Sequence, residues 1–425
     1  MLRQVFLSFF DRTNQNKGRN DMKHDFHKID LKFGARELRQ LGERELYYLR
    51  QVMEGETLSN YISPDSMTRR FEEAFAKKIG ARKAMAKNSA MSGLCEAVSV
   101  SGAGPGYEVI CDPIVHFGGL AAIYFNAVPR FADVKRDTYN MDPDSLLANI
   151  TPLTKAVIVT HLWGQSAEID TIAQICREKG IFLIEDCAHA IGATWNGQHV
   201  GTFGDLGVFS FQEFKQLSTG DGGMTVTNNE ELFDRMRNAW WFSGESPKFM
   251  YLNFRMNEVT AAVGLAQLEK VDRIIEGTYN KTLAILNKAI EGCSWLKPRA
   301  VPKQAHMGGY WWAFTWEGDK QGLSYDKFKQ LNDELEIGLR FGFNQYPAYE
   351  FPFFRQSTAY RSHPDCPVRC PFYTARSNYR YTWDLTPVCA DLMPRLITVN
   401  LIFLSVPAAE EMAERIRTAI KKMNG

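Results

Sequence analysis

Between about residue 80 and residue 230 the chain alternates β-type runs with helical ones, and no other pattern in it restricts the fold as strongly. The β-type runs fall at 107–111, 129–134, 156–161, 181–185, 206–211 and 224–227, with helical spacing near 91–100, 117–126 and 169–179. That alternation predicts an α/β fold, a mostly parallel sheet wrapped by helices. Ile181 to Ile184 is apolar without interruption, as a strand covered on both faces requires. Helical spacing resumes over 257–291 (Val259, Val263, Leu265, Leu268, Val271, Ile275), broken near Gly277, which suits a connector to a second domain. Residues 292–425 mix strands (Tyr310 to Trp316, Ile397 to Phe403) with helices (Tyr325 to Leu335, Glu410 to Met423), the pattern of a smaller α+β C-terminal domain. The expected organisation is an N-terminal arm (1–30), a large domain (31–280) and a small domain (281–425).

Within the first pattern, the run from Leu206 reaches Ser210 and Phe211, Lys215 follows within one turn's reach, and Gly220-Asp221-Gly222-Gly223 leads into Met224 to Thr227. A lone lysine is ordinarily a solvated surface residue. An amine at the mouth of a buried sheet has a specific use, however, a Schiff base with a carbonyl compound such as pyridoxal phosphate. Asp186 stands at the carboxyl end of the 181–185 run, where open α/β sheets bind ligands. A carboxylate there suits a pyridinium nitrogen, whose proton lets the ring accept electrons when the substrate Cα–H bond breaks. His189, three residues on, is placed to hydrogen-bond the ring hydroxyl, although a histidine by itself is more often structural. Glu185 is expected to face away, because neighbouring strand residues point to opposite faces.

A phosphate needs an anion cradle. Asn88-Ser89-Ala90-Met91-Ser92-Gly93-Leu94 offers small residues opening an amphipathic helix, so that backbone N–H groups and the helix N-terminus face an anion. Any N-capped helix looks similar. The Ser210 hydroxyl is a candidate for the same phosphate. Phe117, in Val115-His116-Phe117-Gly118-Gly119, can stack on a flat ring or serve as a core aromatic.

Taken together these residues resemble the DegT/DnrJ/EryC1/StrS family of sugar aminotransferases, a branch of the fold-type I pyridoxal phosphate enzymes. The resemblance runs from about Leu31 to Lys422 and is most specific in Ser-Phe-x-x-x-Lys followed by Gly-Asp-Gly-Gly (Ser210 to Gly223). Glu185-Asp-Cys-Ala-His189, His161-Leu-Trp-Gly-Gln165, Gly204-Asp-Leu-Gly207 and Asn253-Phe-Arg-Met-Asn-Glu258 match in the family's order. It implies pyridoxal 5'-phosphate as cofactor, held by the large domain, with Lys215 as its Schiff-base lysine and Asp186 on the pyridinium nitrogen. It places His189 against the ring hydroxyl, Phe117 on the ring face, and Ala90, Met91 and Ser210 on the phosphate. Asn253 is implied to reach the phosphate of the partner subunit in a homodimer. The implied reaction is transamination in amino sugar biosynthesis: a keto or aldehyde group of a sugar-like substrate becomes an amine, with glutamate, or alternatively glutamine, as donor.

Two segments depart from the family pattern. Ser89-Ala90-Met91 stands where Ser-Gly-Thr is usual, so a hydroxyl is missing at Met91 and only its backbone can contact phosphate. Gln212-Glu213-Phe214 replaces the residues found in many nucleotide-sugar members, which leaves a free cyclitol or sugar acid as an alternative substrate. The family's dehydratase branch, the rival activity, carries histidine in place of this lysine.

Bulk composition excludes other classes. Lys+Arg 50 against Asp+Glu 49 leaves a net charge of +1, without a basic stripe for nucleic acid. No G-x-G-x-x-G follows a first strand, as a nucleotide-cofactor dehydrogenase would show. The eight cysteines are scattered, which suits a reducing cytoplasm. Cys366-x-x-x-Cys370 lacks the further ligands of a zinc site, so no metal is expected. Leu396 to Val406 is shorter than the ~20 residues of a membrane span and reads as a strand. Residues 1–25 read as a loose arm, or as sequence ahead of an alternative start at Met22. The aromatic residues of the small domain, among them Trp311, Trp312, Phe341, Tyr346 and Phe354, read first as core packing.

Overall fold

The computed structural model describes residues 41–55, 57–59, 63, 65–239, 253–344, 346–355 and 367–424. The arm expected at 1–30 and Cys366 lie outside the described residues. The central sheet has seven strands: β1 (Lys83–Lys87), β2 (Glu108–Cys111), β3 (Val128–Phe131), β4 (Thr154–Thr160), β5 (Phe182–Asp186), β6 (Leu206–Ser210) and β7 (Gly223–Thr227). Their order is β1-β7-β6-β5-β4-β2-β3. Every pairing from β6 to β3 is parallel, whereas β7 is antiparallel to both of its neighbours. β7 therefore runs against the other strands, and β1 runs with them. The expected mostly parallel sheet is present, and its carboxyl edge collects the ends of β1, β2, β4, β5 and β6.

The fully buried strands explain the apolar runs: Val157, Ile158, Ile184 and Val208 are all enclosed between helices on the two faces. Three helices matter for the site, α1 (Ala90–Val100), α2 (Phe117–Tyr124) and α3 (Ile169–Lys179). α3 has the bounds its sequence predicts, because Gly180 closes it in the left-handed region (φ 64).

The predicted connector is a string of helices: α4 (Glu258–Leu268), a turn at Val271–Ile274, a π-helical turn Ile275–Tyr279, and α5 (Asn280–Ala289). The π turn contains Gly277, the expected break. Beyond it β8 (Leu296–Pro298), β9 (Trp311–Trp316), β10 (Arg340–Phe341) and β11 (Leu396–Asn400) form an antiparallel sheet in the order β8-β9-β11-β10. The late apolar run is a strand only as far as Asn400. There the Asn400 side chain accepts the Ile402 N–H (3.0 Å) and starts a 3-10 turn, Leu401–Phe403, in place of the expected strand. Trp312, Tyr349 and Phe354 are fully enclosed, so the core reading holds for them, while Tyr346 is exposed. One apolar cluster runs from Phe71 and Phe209 to Trp312 and Ile416 and joins the two sheets. Among the described residues no helix is long and apolar enough to cross a membrane.

Candidate active site

Lys215 lies in a closed turn just after β6. Its N–H donates to the Gln212 carbonyl (2.9 Å), the Gln212 side chain accepts the Phe214 N–H (2.9 Å), and the Thr219 N–H returns to the Phe211 carbonyl (2.8 Å). The Lys215 Nζ is 3.2 Å from the Tyr310 hydroxyl and 4.9 Å from the centre of its ring.

Asp186 ends β5, in register with Thr160 of β4 and Val208 of β6. It is 2% exposed and accepts the Ala188 N–H at Oδ1 (3.0 Å). Burial pushes its carboxyl above the usual range, and the Lys215 charge opposes that, which places the two groups within electrostatic reach. His189 packs its ring on Tyr310 (centroids 4.8 Å apart, 38° between planes). Its Nδ1 is buried without a partner, and burial, reinforced by the charges of Lys215 and Arg299, holds the imidazole well below its usual range, hence neutral. The fold thus draws Lys215, Asp186, His189 and Tyr310 into one group.

Glu185 points the other way, as expected. Its carboxylate accepts the N–H groups of Gly201 (2.7 Å), Phe203 (2.8 Å) and Gly204 (2.7 Å) and lies 2.9 Å from His161 Nε2. His161 Nδ1 accepts the Ala167 N–H (3.1 Å), so Nε2 carries the proton and donates to Glu185. The His161 backbone N–H in turn donates to the Asp186 carbonyl (3.0 Å). His161, Glu185 and Cys187 have the spacing of a metal trio, but both imidazole nitrogens are already engaged in this network, which instead anchors the strand end carrying Asp186.

Ser210, Ala90 and Met91 also come together. Ser210 pairs with Gly223 across β6 and β7. A Cβ on Gly223 would lie 2.6 Å from the Ala90 nitrogen, so only glycine lets the sheet approach the start of α1 this closely. Ser89 caps α1 by accepting the Ser92 N–H (3.1 Å). The Met91 side chain packs against the apolar cluster below the sheet, leaving its backbone for any contact at the helix start.

Phe117 begins α2 and is 44% exposed, with its ring 4.4 Å from that of His116. That exposure rules out the core alternative. Asn253 is exposed, and the next residue, Phe254, accepts the Asn88 N–H (2.9 Å), so the segment runs beside the α1 loop of its own chain.

Sequence reasoning missed Tyr310 and Arg299. Arg299 donates from Nε to the Thr138 carbonyl (2.6 Å) and from Nη1 to the Leu162 carbonyl (2.8 Å), with Trp163 and Tyr139 rings 5.9 and 5.5 Å away. Burial lowers it to about 9. Trp163 and Tyr139 hold left-handed backbone (φ 54 and 59), a strain that collects at functional sites. The one sequence hint was Gly308-Gly309 ahead of an aromatic strand, a sign of close backbone approach.

Comparison with known proteins identifies the family and the fold. The sequence profile of the DegT/DnrJ/EryC1/StrS aminotransferase family matches residues 39–374. The chain is 34% identical over 287 residues to GDP-perosamine synthase of Caulobacter vibrioides (strain ATCC 19089 / CIP 103742 / CB 15), covering 63% of this chain and 73% of that protein. It is 37% identical over 316 residues to a Micromonospora echinospora protein provisionally named L-glutamine:3-amino-2,3-dideoxy-scyllo-inosose aminotransferase, covering 72% and 75%. Among solved structures, 3-amino-5-hydroxybenzoic acid synthase superposes with a TM-score of 0.74 at 25% identity, over 90% of this chain and 97% of that one. The fold is that of the fold-type I aminotransferases, and the chain is an aminotransferase that belongs to the DegT/DnrJ/EryC1/StrS family.

Proposed function

We propose that this aminotransferase uses pyridoxal 5'-phosphate to turn a keto or aldehyde group on a sugar-like ring into an amine, with Lys215 as the cofactor-bonding residue. The observation that carries the reading is the convergence of the Lys215 amine, the buried Asp186 carboxylate and the neutral His189 at the carboxyl edge of the sheet. The residues fit the cofactor. His189 Nδ1 is a buried polar atom without a partner, Asp186 is a carboxylate whose ionised form a ring N–H would support, and Gly223 keeps free the approach to the α1 start. When bound, pyridoxal phosphate supplies the carbonyl that condenses with an amine and the ring that draws electrons from the substrate carbon.

The chain's own residues do the rest. Asp186 holds the proton on the ring nitrogen, and the His161–Glu185 network keeps Asp186 in place. Lys215 takes the substrate Cα proton when its amine is free. Ser210 and the N–H groups of Ala90 and Met91 hold the phosphate, Phe117 covers the ring, and His189 orients its hydroxyl. Asn253 completes the phosphate seat of a second copy, so we expect a homodimer, and the free cysteines suit the cytoplasm. Residues 31–280 hold the cofactor and 281–425 close the substrate side.

We read the acceptor as a polyhydroxylated ring ketone or aldehyde and the donor as glutamate. Gln212 and Glu213 spend their side chains on their own turn, Gln212 on the Phe214 N–H and Glu213 on the Ser218 hydroxyl (3.2 Å). Retention of Lys215 favours amino transfer over dehydration. Borohydride reduction of the yellow holoenzyme should fix the cofactor to Lys215, and its appearance on another lysine would refute the assignment. The aminated enzyme should then recover its absorbance with a nucleotide-linked keto-sugar, a cyclitol ketone or a sugar-acid aldehyde. Recovery with ordinary 2-oxo acids alone would make it an amino-acid aminotransferase.

A further inference from the structure

Tyr310 meets the Lys215 amine in two ways. Its hydroxyl is 3.2 Å from Nζ, and its ring centre is 4.9 Å away, within cation–π range. The ring is only 5% exposed and leans on His189 at 4.8 Å. Such a seat is not a chance of side-chain rotation. Tyr310 immediately precedes β9, and its carbonyl accepts the Leu401 N–H (3.0 Å), so the backbone is tied to the small sheet. Two residues earlier the Gly308 N–H donates to the Gly164 carbonyl (2.8 Å), in the loop just beyond His161. A Cβ at Gly308 would collide with the Ile191 carbonyl oxygen and lie 2.9 Å from the Ala193 nitrogen. The chain thus passes at backbone contact beside the His189 turn and delivers Tyr310 to the lysine from the opposite sheet.

Resting on the reading of Lys215 given above, we infer that Tyr310 is a catalytic residue of the amino transfer. Its oxygen accepts from the Lys215 ammonium, and its O–H donates to the same nitrogen when the amine is neutral. The free amine is then aimed at the substrate carbon instead of rotating about its four-carbon stem. Lys215 takes the proton that leaves that carbon and would give it up again on the cofactor side, so that the amine is restored as a base. The phenol only exchanges the donor side of one hydrogen bond for the acceptor side and gains or loses no proton overall. Misaiming a reacting group by about 1 Å costs on the order of 100-fold in rate, so loss of the hydroxyl should be visible in a proton-transfer step.

The test compares wild-type holoenzyme with Tyr310→Phe, which keeps the ring and removes the hydroxyl. Borohydride mapping, thermal unfolding, and single-turnover kinetics with glutamate and Cα-deuterated glutamate are measured on both. Tyr310→Phe should keep its thermal midpoint, its cofactor on Lys215 and a near-normal KM. The single-turnover rate should fall about 10- to 100-fold, with a larger Cα-deuterium isotope effect as proton transfer becomes limiting. A variant within twofold of wild type overturns the inference while leaving Lys215 intact. A slow variant with a lowered thermal midpoint and an unchanged isotope effect makes Tyr310 structural, which also overturns it. Cofactor trapped on another lysine in the wild type removes the Lys215 reading, and the Tyr310 assignment with it.

Discussion

Asp186 and Glu72 are both carboxylates pushed up by burial, yet the expected consequences differ because only Asp186 lies in the proposed cofactor site. The Lys215 charge reaches Asp186 at the edge of the sheet, and in the proposed site a ring N–H would favour its ionised form. Asp186→Asn should therefore still carry cofactor on Lys215 but transaminate about 100-fold more slowly or worse, as single-turnover absorbance would show. Glu72 lies inside the fold, where its Oε1 accepts the Ala86 N–H (2.8 Å) and Arg69, Lys87 and Arg237 only partly offset its burial. It is pushed up from 4.5 to about 7. Between those values the folded chain binds more protons than the unfolded one, so this group's contribution to stability falls as pH rises and is most unfavourable above 7. The whole effect is at most about 3 kcal/mol. Glu72→Gln should flatten the pH dependence, matching wild type near pH 4 and exceeding it near pH 8, measured as urea midpoints.

At the scale of elements, β1 shows how context overrides propensity. Lys-Ala-Met-Ala-Lys carries little β preference, and the sequence did not mark it, yet β7 offers it five antiparallel partners from Lys83 to Lys87. The side chain of Lys87 is 0% exposed and pairs with Glu96 of α1 at 2.6 Å. A buried pair contributes little net stability, but breaking it strands a charge at about 3–5 kcal/mol. Lys87→Met and Glu96→Leu should each destabilise by that order, and the double variant should recover most of the loss. Denaturant unfolding of the four proteins gives the coupling directly. α3, by contrast, was legible to the residue, because its apolar spacing and its closing glycine are both local signals.

The whole molecule joins two sheets through one apolar cluster and brings the site to the carboxyl edge of the larger sheet. The site as proposed is finished by a second copy through Asn253, which stands exposed beside the loop that opens α1. Light scattering should give a dimer, and Asn253→Ala should weaken cofactor binding about 2- to 10-fold, the worth of one hydrogen bond. A monomer that binds cofactor with undiminished affinity would remove the shared-site expectation.

The amino-acid sequence alone specified the alternation that makes a mostly parallel sheet, the lysine after β6, the carboxylate at the end of β5 and the capped start of α1. Each of these is written in a few adjacent residues, as periodicity, a strand end or a glycine turn. Phe117 stayed ambiguous between core and surface, since an aromatic reads the same in either place until its neighbours are known. Tyr310 was silent for the same reason. It stands 95 residues from Lys215 in the chain, and its hydroxyl gains meaning only where the second sheet is packed against the first. The role of Glu185 in anchoring Asp186 likewise needed the loop 201–204 and His161 to fold around it. Local pattern determined which chemistry is available, and tertiary packing decided which groups share it, because contact between distant residues is set by shape and burial rather than by spacing along the chain.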